Sequence, residues 1–442
     1  MRKHVLIVLA LLILVGGIFA YWATRPVTAR KPIEAVMGAR PDLAAPDEQT
    51  FPTVEIAEPV GWTGGAKPAA AAGLQVAAFA AGLDHPRWLY RLPNGDILVA
   101  ESNAPKREGG GVTAWVAKWL MNRAGAGVPS ANRITLLRDA NGDGVAEVRT
   151  PFLTGLNSPF GMALVGDWLY VGNTDALVRF RYTPGATRIT SAPETVVRLA
   201  GGGNHWTRNV LAARDGRTLF VTVGSTSNIA ENGLDVERYR ANILEVSPER
   251  KSFRIFAAGL RNPNGLAYEP RSGRLWTTVN ERDMLGSDLP PDYMTAIDAG
   301  DHFGWPWFYW GGYPDRRVEP GNPGLQEYSK RPDYALGPHT APLGLAFAGD
   351  AKLGPRFSDG AFVGLHGSWN RVPPSGYKVI YVPFGPNGFP VKGVRAIDVL
   401  TGFLDGKGKA RGRPVGVITD ATGGLLVADD VGNVIWRVST AR

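Results

Sequence analysis

The chain has 442 residues, 44% hydrophobic and 20% charged, a globular balance with room for one large domain or a few ordinary ones. It contains no cysteine, which excludes disulfides, zinc–thiolate and iron–sulfur sites and cysteine nucleophiles. The net charge of +8 comes from scattered residues with no aromatic-interleaved basic stripe, so nucleic acid is not an expected partner, whereas an anionic cofactor or substrate suits the balance.

The first predicted element follows Arg2 and Lys3 as an apolar run from Val5 to Ala23. At about 19 residues it approaches the length of a bilayer span and exceeds most signal-peptide cores. It therefore predicts a transmembrane anchor over 1–24, with the positive end inside and the rest on the periplasmic face of a bacterial inner membrane. A cleaved signal segment is the alternative. Residues 25–72, rich in Ala and Pro, read as a tether, and the folded domain is expected over 73–442.

From Gly73 onward one pattern recurs six times: a polar loop, a small or apolar triplet, a turn with Asp, Asn or Gly, and an alternating apolar strand. Anchored on Trp88, Gly161, Asn209, Gly265, Gly344 and Gly416, the repeats start 73, 48, 56, 79 and 72 residues apart. Each interval holds about four strands of ordinary length with their loops. The 56 glycines and 34 prolines fall singly or in pairs between short apolar runs. Together these features predict an all-β fold, a six-bladed β-propeller whose last strands close the ring against the first.

Within the first repeat, 103–131 is an insertion with an amphipathic helical stretch, expected over a face of the propeller or near the membrane. "DANGDG", Asp139–Gly144 with Glu147 after it, resembles the start of an EF-hand loop, but Thr150 stands where the bidentate Glu belongs. The string also suits a hairpin turn, which is the expectation here. Segment 301–312, "DHFGWPWFYWGG", is expected to pack a blade-edge loop, with a ligand-stacking surface on at least one ring as the alternative.

Equivalent loops of a propeller converge on one channel. Four residues before each anchor stand Asp84, Asn157, His205, Arg261, Thr340 and Gly412. One residue before stand Arg87, Phe160, Arg208, Asn264, Leu343 and Val415. His205 and Arg261 are thus the candidates for chemistry, and Arg87 is a channel-facing cation. A histidine that merely caps or bridges its loop is the bland alternative.

The segments "GNHWTRN", "GLRNPNGLAY", "WTTVNERD", "FGWPWFYWGG", "HTAPLGLAF", "HGSWNR" and "GRPVGV…LLVADDVGNVIWRV" resemble the glucose/sorbosone dehydrogenase family, and within it the L-sorbosone dehydrogenase-like branch, from about residue 74 to 440. The resemblance implies a six-bladed propeller that binds pyrroloquinoline quinone and oxidises sugars, polyols or sugar aldehydes by hydride transfer to the quinone. It implies His205 as the base, beside Asn204 where relatives often carry Asp, and Arg261 with Asn262 next to the quinone oxygens. Arg371 and Arg413 match residues that grip cofactor carboxylates. A second arginine of the last blade falls on Val415, with Arg87 as a substitute, and Trp369 could supply a flat face. A Ca²⁺ ion is implied at "VNERD": Asn280 matches a ligand, and Glu281 with Arg282 replaces the Gly-Pro of some relatives, so that Glu281 either becomes a second ligand or pairs with Arg282.

These residue types suit the chemistry. A planar tricarboxylate needs several cations and flat neighbours, developing charge on a quinone oxygen needs a cation, and a histidine is a suitable proton acceptor. The partners implied are a sugar or polyol, an electron acceptor such as a quinone pool or cytochrome, and the membrane through the N-terminal segment. Two other readings share the scaffold. A metal-dependent lactone hydrolase would want a ring of Glu, Asn and Asp ligands at the channel mouth, and a non-catalytic binding propeller would leave His205 and Arg261 unexplained.

Overall fold

Short alternating runs bounded by Gly, Asn and Asp turns fold as antiparallel strands, and a computed structural model describing residues 2–24, 26–106 and 119–441 arranges them in six four-stranded blades. Blade one comprises Pro86–Arg91, Ile97–Glu101, Arg133–Arg138 and Val148–Leu153, paired in that order. Blade two runs from Met162–Val165 out to Glu194–Arg198, and blade three from Val210–Ala212 to Ser252–Ala258. Blade four runs from Asn262–Tyr268 to Tyr334–Pro338, and blade five from Pro342–Phe347 to Ile397–Thr401. Blade six takes its three inner strands, Pro414–Thr419, Leu425–Asp429 and Val434–Thr440, from the C-terminus. Its outer strand is Leu74–Ala81, paired from Leu74↔Thr440 to Ala81↔Val434. Closure by the ends of the chain removes a free edge from the ring, as the repeats predict.

The second strands Ile97–Glu101, Leu219–Val223 and Leu425–Asp429 are buried along their whole length, because each blade is covered on both faces by its neighbours. The recurring anchors have a physical cause. A Cβ on Gly161 would lie 2.2 Å from the Val210 nitrogen, on Gly344 2.3 Å from the Val415 oxygen, and on Gly416 2.8 Å from the Arg87 oxygen. Each partner belongs to the innermost strand of the next blade, so glycine recurs where neighbouring backbones touch. At the non-glycine anchors a side chain makes the seam instead. The Trp88 ring meets Phe160 at 5.0 Å, and Asn209 Nδ2 donates to the Asn264 carbonyl at 2.8 Å.

Residues 26–72 do not behave as the free tether predicted from their composition, and the ordered chain does not start near Gly73. Backbone N–H groups along the segment donate to propeller loops: Ala29 to Val372 (2.7 Å), Gln49 to Met284 (3.2 Å), Glu55 to Trp369 (2.8 Å) and Val60 to Ala410 (2.7 Å). Ala69–Ala70 then adds a fifth strand to blade five. The segment is a strap whose polar groups are satisfied by loops of the propeller rather than by an element of its own, which is why no periodicity betrays it. It crosses the face from which the loops leading into first strands and the loops joining second to third strands both emerge.

The helix Arg2–Thr24 precedes the strap and leaves Leu6, Leu9, Leu12, Ile13 and Ile18 exposed. Among the described residues no helix is long and apolar enough to cross a membrane. The amphipathic stretch of the 103–131 insertion falls mostly on 107–118, outside the described residues. Its remainder reaches the strap through Arg123 and Glu58, 2.9 Å apart. "DANGDG" forms the hairpin turn, with the Asp139 carboxylate accepting from Gly142 and Gly144 at 2.7 and 2.8 Å. In segment 301–312, Phe303, Trp305, Phe308, Tyr309 and Trp310 are buried, as the packing reading requires.

Candidate active site

The loop before blade three turns on Gly202 and Gly203, both at positive φ, and a Cβ on Gly203 would lie 2.6 Å from the Thr226 Cα. Only glycine passes there. The buried Arg208 then gathers the loop by donating to the carbonyls of Ala200, His205 and Thr207 at 2.6, 3.0 and 2.7 Å. These contacts fix His205 on the rim of the channel, half-buried.

Its ring has a determined tautomer. His205 Nδ1 lies 2.9 Å from the Ser225 carbonyl and 3.0 Å from Ser225 Oγ, whose own hydrogen goes to the Ser227 carbonyl at 2.7 Å. A carbonyl can only accept, so Nδ1 carries the proton and Nε2 presents its lone pair. Burial first, and then the Arg261 guanidinium, lower the imidazole from 6.5 to about 3, so it stands neutral and ready to accept a proton.

Arg261 leads into blade four. Its Nε donates to the Asn228 carbonyl (3.1 Å), Nη1 to the Glu281 carbonyl (2.6 Å), and Nη2 to Asn228 Oδ1 and Asp283 Oδ2 (both 3.0 Å). Four of five N–H groups are spent and one on Nη1 remains. Asp283 Oδ1 also accepts from Asn370 Nδ2 at 2.8 Å and faces His339 Nδ1 at 3.6 Å. Burial alone would raise the Asp283 carboxyl, but Arg261, His339 and Asn370 outweigh it and hold the group below the carboxylate range. His339 itself is raised despite burial, because Asp283 and the Gly286 carbonyl favour its charged form. Asn262 follows Arg261, and its Oδ1 is buried without a partner. A Cβ on Gly224 would come within 2.5 Å of both Asn262 Oδ1 and His205 Cβ, so this glycine lets the two approach.

A second cluster surrounds Asp430. Its Oδ2 pairs with Arg87 Nη1 and lies 2.9 Å from His366 Nε2 and 3.4 Å from His85 Nε2. Against the effect of burial, these three groups keep Asp430 ionised. Arg87 also packs over Trp206, its carbon 5.6 Å from the ring centre. Arg413 lies nearby, over Tyr377 at 4.8 Å, with only long contacts to Gly367 O (3.4 Å) and Ala57 O (3.5 Å). The loop 366–371 joins the clusters, since His366 faces Asp430 and Asn370 faces Asp283.

The structure thus brings His205, Arg261 and Asn262 together, with Arg87 and Arg413 in the adjoining cluster. Trp369 stands on the rim, 36% exposed. Asn204 is exposed beside His205, its backbone N–H bound to the Thr226 carbonyl at 2.7 Å. Arg371 is not gathered in. Its Nε, Nη1 and Nη2 face Ser287 O (2.8 Å), Pro373 O (2.8 Å) and Asp288 Oδ1 (3.4 Å), so it braces the loop on which the strap rests. Asp84 and Asn157 occupy the same slot as His205 but are exposed, Asp84 with its carboxylate 2.6 Å from Arg133 Nη2.

The metal assignment to Asn280 and Glu281 also meets a different arrangement. Asn280 Nδ2 donates to the Pro342 carbonyl at 2.7 Å, which ties blade four to blade five. Glu281 is buried with Oε2 accepting from the Arg282 N–H at 3.0 Å and Oε1 unpaired. Burial raises it to about 7, with Arg282 and Arg261 close by. Two guanidinium groups beside a reluctant carboxylate do not make a cage for a dication, and we route no step through one. Among the described residues the acidic group with ligand atoms close enough for a metal is Asp139, Asp143 and Glu147, on the exposed hairpin.

A planar tricarboxylate fits better. Arg87 Nε and Arg413 Nε are buried with no protein acceptor, and the Asn262 oxygen is buried with no protein donor. Asp430 neutralises Arg87, which leaves Arg413 as surplus positive charge. Unspent guanidinium donors beside an open imidazole nitrogen are what an anionic, reducible carbonyl compound requires.

Asp283, Asn370, His339, His85, His366 and Asp430 were missed by counting back from the repeat anchors. Most sit in loops that follow second strands, as Asp283 follows Leu275–Asn280, His366 follows Gly360–Leu365 and Asp430 follows Leu425–Asp429. Reading the residues just past each second strand would have found them.

Relatives are consistent with this geometry. A pyrroloquinoline quinone-dependent pyranose dehydrogenase of Coprinopsis cinerea is 26% identical over 425 residues, covering 83% of this chain and 54% of its own. An uncharacterised protein of Borreliella burgdorferi is 32% identical over 222 residues, 50% of this chain and 56% of that one. The chain thus spans about half the length of the curated relatives it matches. Among solved structures, the holo pyrroloquinoline quinone domain of the Coprinopsis cinerea pyranose dehydrogenase superposes with a TM-score of 0.68 at 23% identity, covering 87% of this chain and all of that one. The calcium structure of the Trichoderma reesei AA12 enzyme gives 0.69 at 18% identity over 88% and 99% of the two chains. These likenesses establish the propeller fold, and the match of residues 68–289 and 324–441 to the TrAA12-like family shows that the chain belongs to that family.

Proposed function

We propose that the protein is a pyrroloquinoline quinone-dependent dehydrogenase of sugars, with polyols and sorbosone-like sugar aldehydes in its substrate class. The observation that carries this reading is the neutral His205, its Nδ1 proton pinned on Ser225 and its Nε2 open beside Arg261. The bound quinone would supply the hydride acceptor. His205 Nε2 takes the hydroxyl proton of the substrate, for an aldehyde that of its hydrate formed with water, and the unspent Nη1–H of Arg261 stabilises the negative charge that develops opposite. Asp283, held by Asn370 and faced by His339, keeps Arg261 in place. Arg413 and the unspent Nε–H of Arg87 would hold cofactor carboxylates, with Trp369 as a flat neighbour. The electrons then leave to an acceptor outside the cytoplasm, a quinone pool or a cytochrome, a location supported by the basic-then-apolar N-terminus.

The test is reconstitution of the purified full chain with pyrroloquinoline quinone, followed by dye reduction across a panel of sugars, polyols and sugar aldehydes. Substrate-dependent reduction that His205→Ala removes while quinone binding persists supports the proposal. Lactone hydrolysis with no dye reduction on any substrate overturns it.

A further inference from the structure

A cavity of about 1240 Å³ lies away from His205. It lies against the outer side of blades four and five, walled by the strap at Ile33–Arg40. Its floor is apolar, with Ile33, Met37 and Ile380, while its rim carries Arg40, Arg331, Arg356, Lys378, Lys392 and Arg395. Three acidic residues, Glu34, Asp333 and Asp398, share the lining.

Most of the paired charge can be set aside. Lys378 is 2.8 Å from Asp398, the Asp333 carboxylate accepts from Thr295 and Ala296, and Arg331 donates to Ala39 O at 3.2 Å and lies over Trp310. Arg331 and Asp333, each bonded to neutral groups, offset one another, and Arg40, Arg356, Lys392 and Arg395 remain, all exposed and without a carboxylate partner among the described residues, opposite Glu34. The neighbouring groove of about 470 Å³ adds Arg30 and Lys31, but these pair with Asp47 and Asp42. The uncompensated positive charge therefore belongs to the larger groove.

An apolar floor under a cationic rim suits an anion with an apolar body. The strap wall begins nine residues after Thr24, where the helix with its exposed leucines ends, at most about 30 Å of chain away. A surface that offers both dense negative charge and an apolar phase to these two elements at once is a lipid bilayer; an acidic protein offers only the first. We propose that this groove seats the propeller on the anionic headgroups of a phospholipid bilayer, next to its N-terminal helix. The helix need not span the membrane for this, and the proposal is independent of the redox reading.

The test uses the full chain in co-sedimentation with phosphatidylcholine vesicles that contain or lack phosphatidylglycerol. Each cation near an anionic surface is worth roughly 1 kcal/mol, so phosphatidylglycerol should strengthen binding at least about tenfold at low salt. High salt should erase that increment. The triple variant Arg40→Glu, Lys392→Glu, Arg395→Glu should lose the increment while keeping the basal binding contributed by the helix. The milder Arg40→Gln, Lys392→Gln, Arg395→Gln should lose most of it if the reversed variant does not fold. No phosphatidylglycerol effect, or the same effect in the glutamine variant, overturns the proposal. So does a polyglutamate that binds the wild type and not the variant while vesicles show no increment, or soluble glycerol phosphate that saturates the groove without any bilayer preference.

Discussion

Gly224→Ala is the sharpest probe of the catalytic geometry. The added Cβ would sit 2.5 Å from Asn262 Oδ1 and 2.5 Å from His205 Cβ, whereas ordinary contact begins at 3.4 Å. The two side chains must therefore yield by nearly 1 Å, in opposite senses, about the point where the proton is to be taken. Misplacement on that scale costs roughly a hundredfold in turnover, and overpacking costs about 1–3 kcal/mol of stability. We expect kcat to fall by about two orders of magnitude at saturating quinone, in a protein that still melts cooperatively. The measurement is dye-linked turnover alongside thermal unfolding. Gly360→Ala is the contrast, since its Cβ would strike the Val382 carbonyl at 2.3 Å inside blade five, and it should cost stability more than turnover of the folded fraction. A folded Gly224→Ala protein with turnover within about threefold of wild type would refute the placement of His205 at the reacting centre.

His205→Ala should lower kcat by about 10²–10⁴-fold with quinone affinity unchanged. With the imidazole lowered to about 3, the acid limb of kcat/KM should lie well below the ordinary histidine value, and a limb near 6.5 would show a solvated ring. Glu281 is raised from 4.5 to about 7, so the fold binds its proton more tightly than the unfolded chain, and that stability is lost as pH rises from about 4.5 through 7. Glu281→Gln should therefore stabilise more at pH 8 than at pH 5, by at most about 3 kcal/mol, and equal melting shifts at the two pH values would contradict it. Trp62→Phe removes the strap's indole donor to the buried Asp429 carboxylate, 2.7 Å away, and should cost about 1–3 kcal/mol in denaturant unfolding. No loss would mean that the strap is not anchored there.

The propeller was legible in the sequence because its repeats record a local necessity. Gly161, Gly344 and Gly416 stand where the innermost strands of adjacent blades touch, and no other residue fits. His205 and Arg261 stand four residues before their own repeat anchors, Asn209 and Gly265, so the repeat by itself marked them as candidates. The rest depended on contacts far apart in the chain. Asp283 acquires its role only when Arg261, His339 and Asn370 reach it from three other loops, and Asp430 only when Arg87, His85 and His366 surround it. Arg371 looked like a cofactor grip by its motif, yet folding aims it at Ser287, Pro373 and Asp288. The strap shows the same limit from the other side. A segment whose backbone is satisfied by other parts of the molecule leaves no periodic pattern of its own, so its course was decided by tertiary structure alone.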